Sequence, residues 1–259
     1  PPPPTFFFQE EAGIREAQES RGLGDVYKRQ ILGCHSATPR ENHHTTSQLL
    51  KIKKHYFLID CGEGTQIQLR KAKINFSRIN HIFISHLHGD HFYGLIGLIS
   101  SFRLLGRKKA LYIYGPKGIK DLIVSQLKAS NSWTNYSLIF KELFSSKSQT
   151  LYEDEIVSVK TIPLNHRIYT NGFLFKSNGK KNQIYAFCSD TKYDENIIDY
   201  IKFADILYHD STFLNLDKDL AIKTKHSTSI EAAKIAEKAK VKKLILGHYS
   251  SCLLYTSDA

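Results

Sequence analysis

The stretch His86-Leu87-His88-Gly89-Asp90-His91 follows directly on the apolar run Ile82-Phe83-Ile84 and packs four ligand-type side chains into six residues. A Val/Ile/Phe-rich run bounded by turn residues reads as a buried strand. The hexad therefore lies where a strand ends and the chain turns, so its side chains can converge on one point. Neutral imidazole nitrogens and carboxylate oxygens suit Zn²⁺ and its borderline neighbours, and the pattern points to a metallohydrolase. The bland alternative, a polar loop rich in histidine, does not account for four such residues in this order. A two-metal hydrolytic centre needs further ligands, usually including one bridging carboxylate. Three candidates repeat the same topological position at the end of an apolar run: His166 after residues 157–163, Asp190 after residues 184–188, and His248 after Leu244-Ile245-Leu246-Gly247.

Outward from the hexad, strand and helix patterns alternate. Residues 49–52 and 56–60 read as a hairpin around Lys53-Lys54-His55, 64–72 as a helix, 81–85 as a strand and 92–105 as a helix. A strand over 111–114, a helix over 117–129 and strands over 157–163, 171–176 and 183–188 follow. The end is α/β in character, through 195–201, 206–209, 229–240 and 243–247. Thr228 with Glu231 fits a capping box opening the 229–240 helix. Asp60 ends a strand and is expected to orient a ligand histidine, because a metal-bound imidazole needs a partner for its other nitrogen. The turn-rich stretch 38–47 reads as a strand-connecting loop, and Trp133, Tyr136, Tyr208 and His209 as packing residues. About 220 residues suffice for one large core.

Lys and Arg number 36 against 25 Asp and Glu, a net charge of +11. That balance favours polyanionic partners such as nucleic acid, but ordinary solubilising charge gives it equally well. Four cysteines, Cys34, Cys61, Cys188 and Cys252, lack paired metal spacing and are too few to frame a disulfide scaffold, which fits a reducing cytoplasm. No apolar stretch reaches the roughly 18 residues of a membrane span. The ends differ from the middle. Residues 1–30 and 252–259 carry no sustained period, the chain has no methionine, and residues 25–30 and 252–259 resemble translated sequencing-adapter read-through. Both tails are therefore expected to be non-native.

The hexad is similar to the HxHxDH signature of the metallo-β-lactamase superfamily. The ordered set Leu32-Gly33-Cys34-His35-Ser36-Ala37-Thr38-Pro39, Asp60-Cys61-Gly62-Glu63-Gly64-Thr65-Gln66, Asn165-His166-Arg167, Ser189-Asp190-Thr191, His226-Ser227-Thr228 and Gly247-His248-Tyr249-Ser250-Ser251 resembles, more narrowly, the ribonuclease Z family of tRNA 3′-processing endonucleases. The resemblance covers about residues 31–251. It implies an α/β fold, the αββα four-layer sandwich of the metallo-β-lactamase type, with a hydrolase domain over 31–251 that lacks the family's C-terminal segment. It implies two Zn²⁺ per chain, with Mn²⁺ or Fe²⁺ as substitutes: one held by His86, His88 and His166, the other by Asp90, His91 and His248, with Asp190 bridging. Asp90 is then also the proton acceptor, His226 lies near the leaving oxygen, and Asp210 supports from behind. The implied activity is removal of the 3′ trailer from precursor tRNA, leaving a 3′-hydroxyl, by a cytoplasmic homodimer. One departure bears on substrate. Only residues 167–189, 23 of them, separate His166 from Asp190, where the family usually carries a long arm that grips the tRNA; Gly179-Lys180-Lys181-Asn182 reads as a hairpin turn in its place. A general metal-dependent phosphodiesterase acting on small or cyclic nucleotide esters is therefore the alternative, and an inactive truncated product the second.

Overall fold

Short β-branched and aromatic runs separated by turn residues become the strands of two sheets in the computed structural model, which describes residues 27–179 and 182–250. The described residues fall into two compact units, 27–144 and 145–250. In the first, β1 (Tyr27–Gly33), β2 (Ser47–Ile52) and β3 (His55–Ile59) form an antiparallel meander. Helix α1 (Thr65–Lys71) then leads to β4 (Ile79–Phe83), which pairs parallel with β3. The hexad follows, and its second half opens α2 (Gly89–Phe92), with α3 (Gly94–Leu104) immediately after. Parallel strands β5 (Leu111–Pro116) and β6 (Leu138–Leu143) flank α4 (Ile119–Ala129), and the sheet order is β1-β2-β3-β4-β5-β6.

Parallel crossovers place helices against a sheet face. Leu69 of α1, Leu95, Leu98 and Phe102 of α3 and Ile123 of α4 join Leu58, Ile82 and Ile113 of the strands in one buried cluster. Each such side chain contributes about 1.5–3 kcal/mol of transfer free energy. Close approach fixes the hexad helix: a Cβ on Gly94 would lie 2.1 Å from the Gly62 carbonyl oxygen, and Gly94 N donates to Cys61 O at 2.9 Å.

The second unit repeats the plan. β7 (Thr150–Glu153), β8 (Val157–Pro163), β9 (Asn171–Ser177) and β10 (Ile184–Cys188) form an antiparallel meander. Strands β11 (Ile206–Asp210) and β12 (Leu244–Gly247) continue it in parallel, giving the order β12-β11-β10-β9-β8-β7. Helix α5 (Ile198–Ile201) precedes β11, and α6 (Lys218–Thr224) and α7 (Ser229–Lys238) lie between β11 and β12. Ile201, Ala232, Ile235 and Ala236 bury against Ala186, Leu207 and Leu244. Thr228 and Glu231 form the expected capping box at the start of α7.

Several boundaries differ from the sequence reading. Tyr27, Lys28, Arg29 and Gln30, assigned there to the tail that ends at residue 30, pair with Ile52, Lys51, Leu50 and Leu49 in the first strand, so the folded unit includes them. The helix expected over 92–105 begins earlier, with Gly89, and is split at Tyr93. Strands β1, β6 and β7 and helix α6 were not anticipated. Residues 1–26 and 251–259, where the remaining tail assignments and Cys252 fall, lie outside the described residues, as do Lys180 and Lys181 of the expected turn. That turn's flanks are nevertheless joined: β9 and β10 pair from Lys176 with Ile184 to Phe173 with Phe187.

Candidate metal centre

The carboxyl ends of strands are where side chains leave a sheet and can converge. In the first unit, β3 ends just before Asp60 and β4 runs into Ser85 and the hexad. Asp60 is fully buried and adopts φ 55°, a left-handed conformation that costs a non-glycine residue about 1–3 kcal/mol. Its Oδ1 accepts from Ser85 N at 2.7 Å, and its Oδ2 accepts from Ser85 Oγ at 2.9 Å and from His91 Nδ1 at 2.8 Å. Since the Ser85 hydroxyl gives its proton to Asp60, it accepts from His86 Nδ1, 3.0 Å away. One carboxylate thus fixes two imidazoles, His91 directly and His86 through a hydroxyl, and turns the Nε2 lone pair of each outward. His86 Nε2 lies 2.9 Å from His88 Nδ1, and His91 Nε2 lies 3.5 Å from Asp90 Oδ2. Asp90 Oδ2 also accepts from Ala37 N at 2.8 Å. In the loop after β1, Ala37's backbone reaches the hexad.

The second unit is wired the same way. Asp210, the last residue of β11, is fully buried. Its Oδ1 accepts from Thr212 N at 2.9 Å and Thr212 Oγ1 at 2.6 Å, and its Oδ2 accepts from Thr191 N at 3.0 Å and His226 Nδ1 at 2.8 Å. Thr212 Oγ1, having donated to Asp210, accepts from His248 Nδ1 at 2.8 Å. Burial pushes the Asp210 carboxyl up, but the facing His226 imidazole and its hydrogen bond, helped by His248 and opposed by Asp190, hold it below the usual carboxylate range. His166 Nδ1 donates to the Lys225 carbonyl at 2.9 Å, which leaves its Nε2 3.8 Å from Asp190 Oδ2. Asp190 Oδ1 lies 3.2 Å from His248 Nε2 and accepts from Ser189 Oγ at 2.8 Å. Asp190 (φ 36°) and His248 (φ 63°) share the strained backbone of Asp60, each just past the end of its strand.

His226 completes this cluster. Its ring stacks on His248 at 5.1 Å and 16°, and tilts against His166 at 4.8 Å. Asp190, His226 and His248 each offer a ligand atom within 4.8 Å of the others. With Nδ1–H committed to Asp210, His226 presents Nε2, the arrangement of an oriented acid–base imidazole. Among the expected packing residues, Tyr136 is buried and donates to Ile99 O at 2.9 Å, and Tyr208 stacks on Phe187 at 5.0 Å. Trp133 is half exposed.

Four of the ligand-type histidines, His86, His91, His166 and His248, have one ring nitrogen committed as a donor and the other directed at a carboxylate or another imidazole. That is the preparation a metal-ligating imidazole requires, and in each unit a carboxylate, Asp90 in the first and Asp190 in the second, adds an oxygen donor of the kind that suits a divalent metal. Sequence reasoning named these residues as candidate ligands but missed Ser85 and Thr212. The available signal was a hydroxyl residue one step before the hexad and one two steps after Asp210.

Comparison with known proteins identifies relatives of this chain. The family model described as "Anti-Pycsar protein Apyc1" matches residues 27–257. A protein of Bacteroides thetaiotaomicron named Ribonuclease Z is 39% identical over 88% of this chain and 86% of its own. The crystal structure of the short form of human tRNase Z superposes with a TM-score of 0.80 at 30% identity, covering 87% of this chain and 93% of that one. The metallo-β-lactamase fold protein YhfI of Bacillus subtilis, at 23% identity and a TM-score of 0.71 over 88% of each chain, shares the fold. The chain therefore belongs to the ribonuclease Z family and to the family that the Apyc1 model describes, built on the α/β metallo-β-lactamase fold expected from its hexad.

Proposed function

We propose that this chain is a zinc-dependent endoribonuclease that removes the 3′ trailer from precursor tRNA by hydrolysing one phosphodiester, leaving a 3′-hydroxyl on the tRNA. The observation that carries this reading is the Asp210–His226 pair packed on His248. A ribose 3′-oxygen is a poor leaving group and needs a proton as its bond to phosphorus breaks, and an imidazole held at Nδ1 by a carboxylate is built to deliver one from Nε2. The proposed ligand set is His86, His88 and His166 for one zinc ion, Asp90, His91 and His248 for the other, and Asp190 for both. Two zinc ions so held would supply a low-pKa water and stabilise charge on the attacking and leaving oxygens.

The rest of the step belongs to the chain. Asp90, whose Oδ2 is held by Ala37 N–H, takes the proton of the attacking water. The new P–O bond forms in line with the P–O3′ bond that breaks, and His226 returns a proton to the departing O3′. Asp60 and Asp210 keep their imidazoles in the tautomer this requires. The reading carries with it a homodimer and a cytoplasmic location. Among the described residues no helix is long and apolar enough to cross a membrane.

The test is cleavage of a trailer-bearing pre-tRNA beside hydrolysis of bis-p-nitrophenyl phosphate, with and without a chelator. Cleavage at the trailer junction that is lost on chelation and restored by zinc supports the reading. Hydrolysis of the small ester with pre-tRNA left intact defeats it, and favours the second reading, a phosphodiesterase on small or cyclic nucleotide esters. What favours that second reading is the short β9–β10 connection, Ser177 to Ile184, where a tRNA-gripping arm is expected.

A further inference from the structure

The second unit holds a cavity of about 430 Å³ that opens beside His166. It lies at the carboxyl ends of β8 and β10, and β10 is where the sheet changes from antiparallel to parallel pairing. The carboxyl ends of strands are where open α/β sheets bind ligands. The two walls are tied together: Asn165 O accepts from Lys192 N at 3.0 Å, and Asn165 N donates to Thr191 Oγ1 at 3.2 Å. The cavity is therefore preformed.

Besides His166, its lining includes Pro163, Leu164, Tyr200, Asn165, Asn196 and Asp194, and contains no lysine or arginine. An anionic group is disfavoured next to Asp194 itself, and a phosphate belongs at the His166 end of the cavity, on the side of the proposed zinc. An uncharged heteroaromatic ring with polar edges fits, because it can lie on the apolar and aromatic surfaces while amides and a carboxylate read its rim. Asp194 Oδ1 already accepts from Asn196 N at 3.0 Å and Asn196 Nδ2 at 2.8 Å, which fixes the orientation of the carboxylate. A carboxylate only accepts hydrogen bonds, so the edge it selects is a donor.

We infer that this cavity binds a nucleobase carrying an exocyclic amino group, from a nucleotide neighbouring the phosphate under attack. The inference rests on reading the metal centre as one acting on RNA phosphodiesters. Asp194 and Tyr200 are specificity residues here, outside the proposed ligand and proton-transfer sets.

The experiment is calorimetric titration of the zinc-loaded 259-residue chain with CMP and with UMP, which share a phosphate and sugar and differ at the C4 amine. CMP is expected to bind about 5- to 20-fold more tightly, the Asp194→Asn variant to lose that preference, and Tyr200→Ala to weaken both nucleotides about 5-fold. Unchanged turnover of bis-p-nitrophenyl phosphate reports that both variants are folded with the metal centre intact. Equal binding of CMP and UMP by the wild type, or a CMP preference that survives Asp194→Asn, overturns the inference. A wild type that prefers CMP while leaving pre-tRNA uncut supports the cavity and defeats only the tRNA reading.

Discussion

Replacing Asp210 by asparagine is the sharpest probe of the proposed proton donor, because the side chain keeps its shape while one acceptor becomes a donor. Asp210 receives four hydrogen bonds, two from Thr212 on Oδ1 and one each from Thr191 N and His226 Nδ1 on Oδ2. An asparagine that keeps its oxygen toward Thr212 turns an NH₂ toward two groups that also donate. A buried donor left unpaired costs about 1–3 kcal/mol, so Asp210→Asn is expected to lose about 2–4 kcal/mol of stability by urea denaturation. His226 can relieve one clash by moving its proton to Nε2 and accepting at Nδ1, but the protonated ring then has no counter-charge and fails as an acid. Single-turnover cleavage of pre-tRNA should fall about 10²- to 10⁴-fold. Bis-p-nitrophenyl phosphate, whose leaving nitrophenolate needs no proton, should slow less than about 10-fold at saturating zinc. An equal fall on both substrates, or RNA cleavage within about threefold of the wild type, would refute the assignment of His226 as the acid.

Three further outcomes follow from the geometry. Ser85→Ala and Thr212→Ala should each weaken zinc retention about 10- to 100-fold in a chelator competition, with activity recovering at excess zinc; unchanged retention removes the relay. His209 is held below the ordinary histidine value by burial, so the folded chain keeps it neutral while the unfolded chain gains a proton below about pH 6.5. Its contribution to stability is complete above that pH and is lost as pH falls toward the folded value, so the decline in urea stability from pH 7.5 to 5.5 should be shallower in His209→Gln. The Asp210 contribution, by the same rule for a lowered carboxylate, is lost only below about pH 3.9. Thr228→Ala, which removes the side-chain half of the α7 cap, should cost about 1 kcal/mol by denaturation and leave the zinc content unchanged.

Which parts of the fold were legible in the sequence depended on where each strand sits. Central strands such as β4, β8 and β10 carry runs of apolar residues long enough to stand out, as does the edge strand β12, and the candidate ligands follow them. The three strands that went unseen, β1, β6 and β7, are all sheet edges. β6 reads Leu-Ile-Phe-Lys-Glu-Leu and β7 Thr-Leu-Tyr-Glu, and their side chains are mostly half exposed. An edge has a partner on one side only and needs no continuous apolar pattern. At the site, side-chain chemistry was readable because the ligand types are few. The backbone contributions, Ala37 N on Asp90 and Lys225 O on His166, were not, since an amide carries no letter of its own.

The matching circuits in the two units, a carboxylate holding one imidazole directly and a second through a hydroxyl, give the chain two grades of control. A change at Asp60 or Asp210 disturbs two imidazoles at once, so its effect cannot be divided between them by single substitutions. Ser85 and Thr212 weigh on one ring more than the other: each hydroxyl lies nearer His86 or His248, at 3.0 and 2.8 Å, than His91 or His226, at 3.3 and 3.1 Å, whose shorter bond is to the carboxylate. The hydroxyls are therefore the positions at which natural variation or an engineer can trade metal retention against exchange in small steps, with the carboxylate bonds to His91 and His226 kept.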